Sequence, residues 1–136
     1  MHSQNTQNQK DMHENEVAKI IVDTAHAIHK HIGPGLLESA YENALAFDLQ
    51  EKGLNVLQQH PMPFIYKDVK LDVGYRLDLL VENKVIVEIK SVDSLAPVHF
   101  AQTLTYLKLS DLKLGLLINF NTKYFKEGIH RLVNNL

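Results

Sequence analysis

The sequence predicts an α/β domain in which helices flank a β-sheet, with elements in the order α-α-β-β-β-β-α-β. Three observations predict it. Apolar residues recur at helical spacing up to about residue 52, and the period then shortens to that of strands up to about residue 91. A helix opened by Pro97 is followed by an unbroken apolar run from Leu114. The chain has 136 residues, 45% of them hydrophobic, which suits one core and one domain.

Val17, Ile20, Ile21, Ala25, Ile28 and Ile32 mark an amphipathic helix over about 16–31, stopped by Gly33-Pro34-Gly35. A second helix is expected from near Leu36 to about Lys52, with Leu37, Tyr41, Ala44 and Leu45 inside and Gly53 as its C-terminal cap. Residues 56–58, 63–66, 71–81 and 84–91 read as strands, with turns at Lys67-Asp68 and Glu82-Asn83-Lys84. The third helix is expected over about 96–109, with Val98, Ala101, Leu104 and Leu107 as its core stripe. Residues 114–119 form a central strand buried on both faces. Residues 123–136 are expected to hold a short strand or turn and then a frayed tail.

Composition excludes several chemistries. There is no cysteine, so disulfides, thiol nucleophiles, zinc ribbons and iron–sulfur clusters drop out. Any metal must be held by carboxylates, carbonyls, histidines or water. No apolar run approaches the ~20 residues of a membrane span, and the polar N-terminus lacks a secretory segment. Residues 1–15 are expected to be a flexible tail ahead of a single domain over 16–136, in a cytoplasmic protein. The net charge of −2 argues mildly against a protein that coats nucleic acid. The distribution is uneven: residues 11–51 hold eight acids and two lysines, whereas 108–131 hold five Lys or Arg and two acids. A basic C-terminal face and scattered solvated charge both fit that pattern.

The segment from Tyr75 to Ser91 carries the strongest chemical signal. Residues two apart on a strand share a face, so Glu88 and Lys90 point the same way. A three-residue turn through Glu82-Asn83-Lys84 would pair Val81 with Val85 and Leu80 with Ile86, and bring Asp78 opposite Glu88. A two-residue turn would shift the pairing by one and disperse the cluster. Two carboxylates side by side repel, and one tends to keep its proton unless a cation relieves the pair. Ligation by oxygen alone favours Mg²⁺ or Mn²⁺ over zinc. Lys90 would then orient the attacking water or neutralise charge in the transition state. The competing reading is the solvated face of an antiparallel sheet. Leu80 and Ile86 weigh against it, because they share that face, and Arg76 adds a cation at the same end.

Glu38 stands on the stripe Glu38, Tyr41, Leu45, either as a first-turn acid serving the helix dipole or as a third acidic ligand. His99, Gln102 and Tyr106 form a stripe on the third helix. It is either an ordinary polar side or a group in which Gln102 and Tyr106 steady the nucleophile, the lysine or a phosphate. His26 and His29 share a helical face, but a zinc site needs further ligands that nothing specifies. His29 could instead approach Glu38 across the Gly-Pro-Gly bend.

Gly35-Leu-Leu-Glu38-Ser-Ala-Tyr41 resembles the motif that names the GxxExxY proteins, grouped with the PD-(D/E)XK nuclease-like superfamily. The resemblance runs from about His29 to Arg131. It takes in Gly33-Pro34-Gly35, the Y-R-x-D at Asp78, the E-x-K-S of Glu88 to Ser91, the Q-x-x-x-Y of Gln102 and Tyr106, and Leu117 to Asn121. Q-x-x-x-Y is also similar to a motif of RecB-like nucleases, but without cysteines their iron–sulfur cluster does not carry over. The resemblance implies a restriction-endonuclease-like mixed β-sheet flanked by helices and a metal-dependent nuclease acting on DNA, less readily RNA. In that reading Asp78, Glu88, the Ile89 carbonyl and Glu38 bind Mg²⁺ or Mn²⁺, Lys90 serves the water, and Gln102 and Tyr106 complete the site. A homodimer would suit cutting of both strands, and no membrane partner is expected. The alternative is a catalytically silent module of the same fold that binds nucleic acid or a protein. The modest charge and the lack of a helix-turn-helix motivate that alternative.

Overall fold

The computed structural model of the protein describes residues 12–62, 64–71 and 74–136. Its elements are helices α1 (Glu14–Ile32) and α2 (Glu38–Glu51), strands β1 (Val56–Pro61), β2 (Phe64–Tyr66), β3 (Val69–Leu71), β4 (Arg76–Val81) and β5 (Val85–Lys90), helix α3 (Pro97–Ser110), strand β6 (Leu114–Asn119), a 3₁₀ turn (Phe125–Glu127) and strand β7 (Ile129–Val133). Five strands form one sheet in the order β1-β4-β5-β6-β7, and β2 and β3 form a separate hairpin. Only β5 and β6 run parallel within the main sheet, joined by the α3 crossover.

The two faces of the sheet carry different cores. On one, Val17, Ile21, Ala25 and Ile28 of α1 and Tyr41, Leu45 and Leu49 of α2 pack on Leu79, Val81, Val85, Val87 and Ile89. On the other, Tyr106 and Leu107 of α3 pack with Leu77, Leu80, Ile86 and Met62. Each such aliphatic side chain withdrawn from water contributes roughly 1.5–3 kcal/mol before entropy is counted. Strand β6 lies inside the sheet, between β5 and β7, and every residue of it is buried, as its apolar run implies.

Four expectations need correction. Helix α1 begins at Glu14, capped by the His13 side chain, so the proposed tail ends sooner; residues 1–11 of that tail lie outside the described residues. Helix α2 begins at Glu38, with Leu37 at its N-cap and 77% exposed rather than inside. The expected strand over 71–81 divides into β3 and β4, with Gly74 and Tyr75 in neither; Asp72 and Val73, like Pro63, lie outside the described residues. Finally, Val98 is 64% exposed and Ala101 is exposed, while Thr103, Tyr106 and Leu107 are buried. A pure i+3 series drifts around a helix with 3.6 residues per turn, so Val98 and Leu107 lie on opposite sides. The true stripe follows 99, 103, 106, 107, with the mixed spacing an α-helix requires.

The C-terminal segment resolves into β7, antiparallel to β6. The chain reaches it through Gly128, whose carbonyl accepts the Asn119 N–H at 2.8 Å. A Cβ at Gly128 would lie 2.0 Å from the Asn119 carbonyl oxygen. Because that neighbour is backbone inside a packed turn, Gly128→Ala is expected to cost about 1–3 kcal/mol. The cost would register as a Tm lowered by several degrees. A thermal melt matching wild type would show that the turn can move aside.

Candidate active site

The β4–β5 hairpin closes through a turn in which Glu82 and Asn83 take left-handed φ values of 54° and 53°. The Lys84 N–H donates to the Val81 carbonyl at 3.0 Å. This three-residue loop pairs Val81 with Val85, Leu80 with Ile86 and Leu79 with Val87. One step further, Asp78 comes opposite Glu88, and there side chains replace the ladder. The Asp78 N–H donates to Glu88 Oε2 at 2.9 Å, and the Ile89 N–H donates to Asp78 Oδ2 at 2.8 Å. The alternation of faces also breaks at Asp78: Leu79 and Val81 belong to the α1–α2 core, whereas Leu77 joins Leu80 and Ile86 beneath α3. The register argued from the sequence therefore holds, and the strand opens where the acid sits.

Glu88 is 5% exposed. Burial, reinforced by the Asp78 charge, pushes its carboxyl up to about 8, against a partial offset from the Asp78 N–H and the Lys90 ammonium. Asp78 is raised too, mainly by burial, with the Ile89 N–H, Gln59 and Lys90 pulling the other way. Lys90 thus lies within electrostatic reach of both acids. Its backbone is pinned, because its carbonyl accepts the Phe120 N–H at 2.9 Å. Beyond it, the buried Asn119 side chain clamps Val92, accepting from its N–H at 3.1 Å and donating to its carbonyl at 2.9 Å.

Glu38 reaches the same end of the sheet from the start of α2. Its Oε2 accepts the Ser91 N–H at 3.3 Å, and Ser91 Oγ donates to the Leu36 carbonyl at 2.6 Å. Tyr41 explains the spacing of the G-x-x-E-x-x-Y segment. It is fully buried and stacks on Phe120, and its hydroxyl donates to the Gly33 carbonyl at 2.6 Å and accepts the Leu36 N–H at 3.1 Å. Gly33 and Gly35 have φ values of 80° and 111°, which a Cβ would resist. The tyrosine and the two glycines together shape the loop that presents Glu38.

On α3, Gln102 Nε2 donates to the Tyr106 hydroxyl at 2.9 Å. Tyr106 is buried and its own pKa is raised, first by burial and then by the nearby Glu88 charge. Tyr106 therefore lies within electrostatic reach of the carboxylates, with Gln102 beside it. His29 goes elsewhere: its Nε2 lies 2.7 Å from the Thr122 carbonyl, and its ring and that of His26 pack on Phe125. The suggested approach of His29 to Glu38 does not occur.

The sequence reading missed Glu42 and Gln59. Glu42 is 8% exposed, and burial raises its pKa. Gln59 Nε2 donates to Glu42 Oε1 at 2.7 Å and to Asp78 Oδ1 at 3.2 Å, bridging the two acids. Gln59 can do so because it takes a left-handed φ of 49°, a conformation that glutamine rarely adopts and that its identity does not announce. For Glu42 there was a signal: it lies one helical turn after Glu38 and could have been placed on the same stripe.

Among the described residues, no three His, Asp or Glu side chains converge into a cage for a metal ion. Asp78 and Glu88 have instead turned onto backbone N–H groups of each other's strands. The donor set itself is all oxygen, and its two neighbouring acids, Glu88 buried and Asp78 half-buried, carry the electrostatic cost that a cation relieves, so its chemistry fits a hard divalent ion. No described helix is long and apolar enough to cross a membrane.

The sequence matches the PD-(D/E)XK nuclease superfamily over residues 15–132. No curated protein and no solved structure matches it. With that match over nearly the whole chain, and a helix-flanked mixed sheet of the restriction-endonuclease-like kind, the chain belongs to the PD-(D/E)XK nuclease superfamily.

Proposed function

We propose that this protein hydrolyses phosphodiester bonds of DNA with Mg²⁺ or Mn²⁺, and that within its superfamily it is one of the GxxExxY proteins. The observation that carries the reading is the pair of carboxylates, buried Glu88 and half-buried Asp78, gathered with the Lys90 ammonium at one end of the hairpin. Asp78 and Glu88 would hold the cation, with Glu38 and the Ile89 main-chain carbonyl as further ligands. Such an ion, when bound, draws charge from a phosphoryl oxygen and acidifies water.

The chain's own residues supply the rest. Lys90 sets its ammonium beside the attacking water and the charge that builds on the phosphate oxygens. Glu42, through Gln59, holds Asp78 in place. Tyr106, fixed by Gln102, would hydrogen-bond a phosphate held near the carboxylates. Superfamily membership does not favour the silent-module alternative.

The test is direct. Purified protein incubated with DNA is expected to cut it when Mg²⁺ or Mn²⁺ is present and to stop when a chelator is added. DNA left intact with both ions would overturn the proposal.

A further inference from the structure

We propose that an aromatic ridge beside this site, Tyr75 with Phe64 and Tyr106, is a stacking platform for a base of single-stranded nucleic acid. The inference rests on the nuclease reading above and names the form of its substrate. Tyr75 sits between β3 and β4 and is 42% exposed. Its backbone is anchored, since its carbonyl accepts the Met62 N–H at 2.9 Å. Its ring centroid lies 5.9 Å from that of Tyr106 and 6.5 Å from that of Phe64, at interplanar angles of 51° and 66°. The neighbours thus brace the ring through tilted contacts and leave part of it open.

Tyr75 lines two cavities. One, of about 380 Å³, is walled by Phe64, Tyr75, Gln102 and Tyr106 among others, and has a largely apolar lining suited to a flat ring. The other, of about 350 Å³, is bordered by Tyr75 with Lys70 and Arg76. Both cations are exposed, and neither pairs with a carboxylate among the described residues. An aromatic surface on one side and two cations on the other match a nucleotide, with its flat base and anionic phosphate.

The ridge also leads to the carboxylates. Tyr106 packs in one cluster with Leu77, the neighbour of Asp78, and Arg76 lies two residues before Asp78 on β4. A base held at Tyr75 therefore places its strand toward the acids. Within a duplex both faces of a base are covered by its neighbours, so only an unstacked base can use this surface.

The test is fluorescence anisotropy on labelled oligothymidylate, oligouridylate, an abasic deoxyribose-phosphate strand and a duplex, all of one length, with Ca²⁺ replacing Mg²⁺. Wild type is expected to bind oligothymidylate or oligouridylate about tenfold more tightly than the abasic strand or the duplex. Tyr75→Ala and Tyr75→Leu are expected to lose about tenfold in affinity for the base-bearing strand. Neither should change binding of the abasic strand, and Tyr75→Phe should bind as wild type. Circular dichroism melts check that each variant is folded.

The platform is overturned if Tyr75→Leu binds the base-bearing strand as wild type does, if it loses both strands equally, or if wild type prefers the duplex. Failure of oligonucleotides of every kind to bind would remove the nuclease reading as well. Strands bound by wild type, and cut once Mg²⁺ is restored, without any effect of Tyr75→Leu would remove the platform alone.

Discussion

Lys90→Ala is expected to abolish metal-dependent cleavage of DNA while leaving the fold intact. The expectation follows from how differently the chain treats the backbone and the side chain of this residue. The backbone is held in β5 by parallel pairing with Asn119 and by the Phe120 N–H on its carbonyl. These contacts do not involve the side chain, which is only partly buried. Truncation leaves no large cavity and no lost ladder bond, so Tm should stay close to wild type. What disappears is the cation whose field lowers both Asp78 and Glu88. In the proposed chemistry that charge also faces the attacking water and the phosphate. Losing one preorganised group of this kind costs roughly 2.7–4 kcal/mol of barrier, or about 10²–10³ in kcat. Lys90→Arg keeps the charge but spreads it over a planar fork, so it should recover only part of the rate. The measurement is single-turnover cleavage of a labelled DNA at saturating enzyme, with melts run in parallel. Cleavage by Lys90→Ala at the wild-type rate would remove Lys90 from the chemistry and point to a different centre.

The Asp78–Glu88–Lys90 arrangement was legible in the sequence because it depends on only two rules, the strand period and the length of one turn. Glu82-Asn83-Lys84 is a good turn sequence, and asparagine tolerates the left-handed conformation seen at Asn83. Once the turn has three residues, the register has no freedom. Glu38 and Tyr41 were legible as a motif, although not as a mechanism. That Tyr41 ties down the glycine loop depends on its hydroxyl meeting two backbone groups, and no spacing rule contains that contact.

The residues that escaped depend on tertiary context. Gln59 acts through a left-handed backbone in the middle of a strand, an exception to local preference that only its neighbours enforce. The face of α3 was misjudged because its packing is set by the sheet below. Gly115 leaves space on β6 where Thr103 and Leu107 settle, with the Thr103 Cγ2 and Leu107 Cδ1 atoms 3.2 and 3.4 Å from where a Cβ would stand. Strand β7 was legible only as a short strand or turn within 123–136, for a related reason. Its burial is patchy and its place is decided by the free edge of β6 rather than by its own alternation.

Glu88→Gln is expected to make the metal-free protein more stable at alkaline pH while removing its activity. The Glu88 carboxyl is pushed up to about 8 from an ordinary value of 4.5. Between those two values the folded chain holds a proton that the unfolded chain has released. Unfolding then releases a proton, so stability falls as pH rises. The Glu88 contribution is fully present below about 4.5 and is lost by the time the pH has passed about 8. Asp78, also raised, adds a contribution of the same sign. At 1.36 kcal/mol per pKa unit the Glu88 contribution is on the order of a few kcal/mol, allowing for residual solvation. Glutamine is nearly isosteric and cannot ionise, and its carbonyl can accept the Asp78 N–H in place of Glu88 Oε2. The variant should therefore melt near wild type at pH 5 and well above it at pH 9, with a flatter profile between. Mg²⁺ is expected to reverse the ranking: it binds the folded wild type, raises its Tm at pH 8 by mass action, and has little effect on the variant. Urea titrations across this pH range, with and without Mg²⁺, measure both effects. A flat wild-type profile, or a variant no more stable than wild type at pH 9, would mean that the carboxylates are not strained against each other. The electrostatic argument for a cation at this end of the hairpin would then fail, whatever the superfamily.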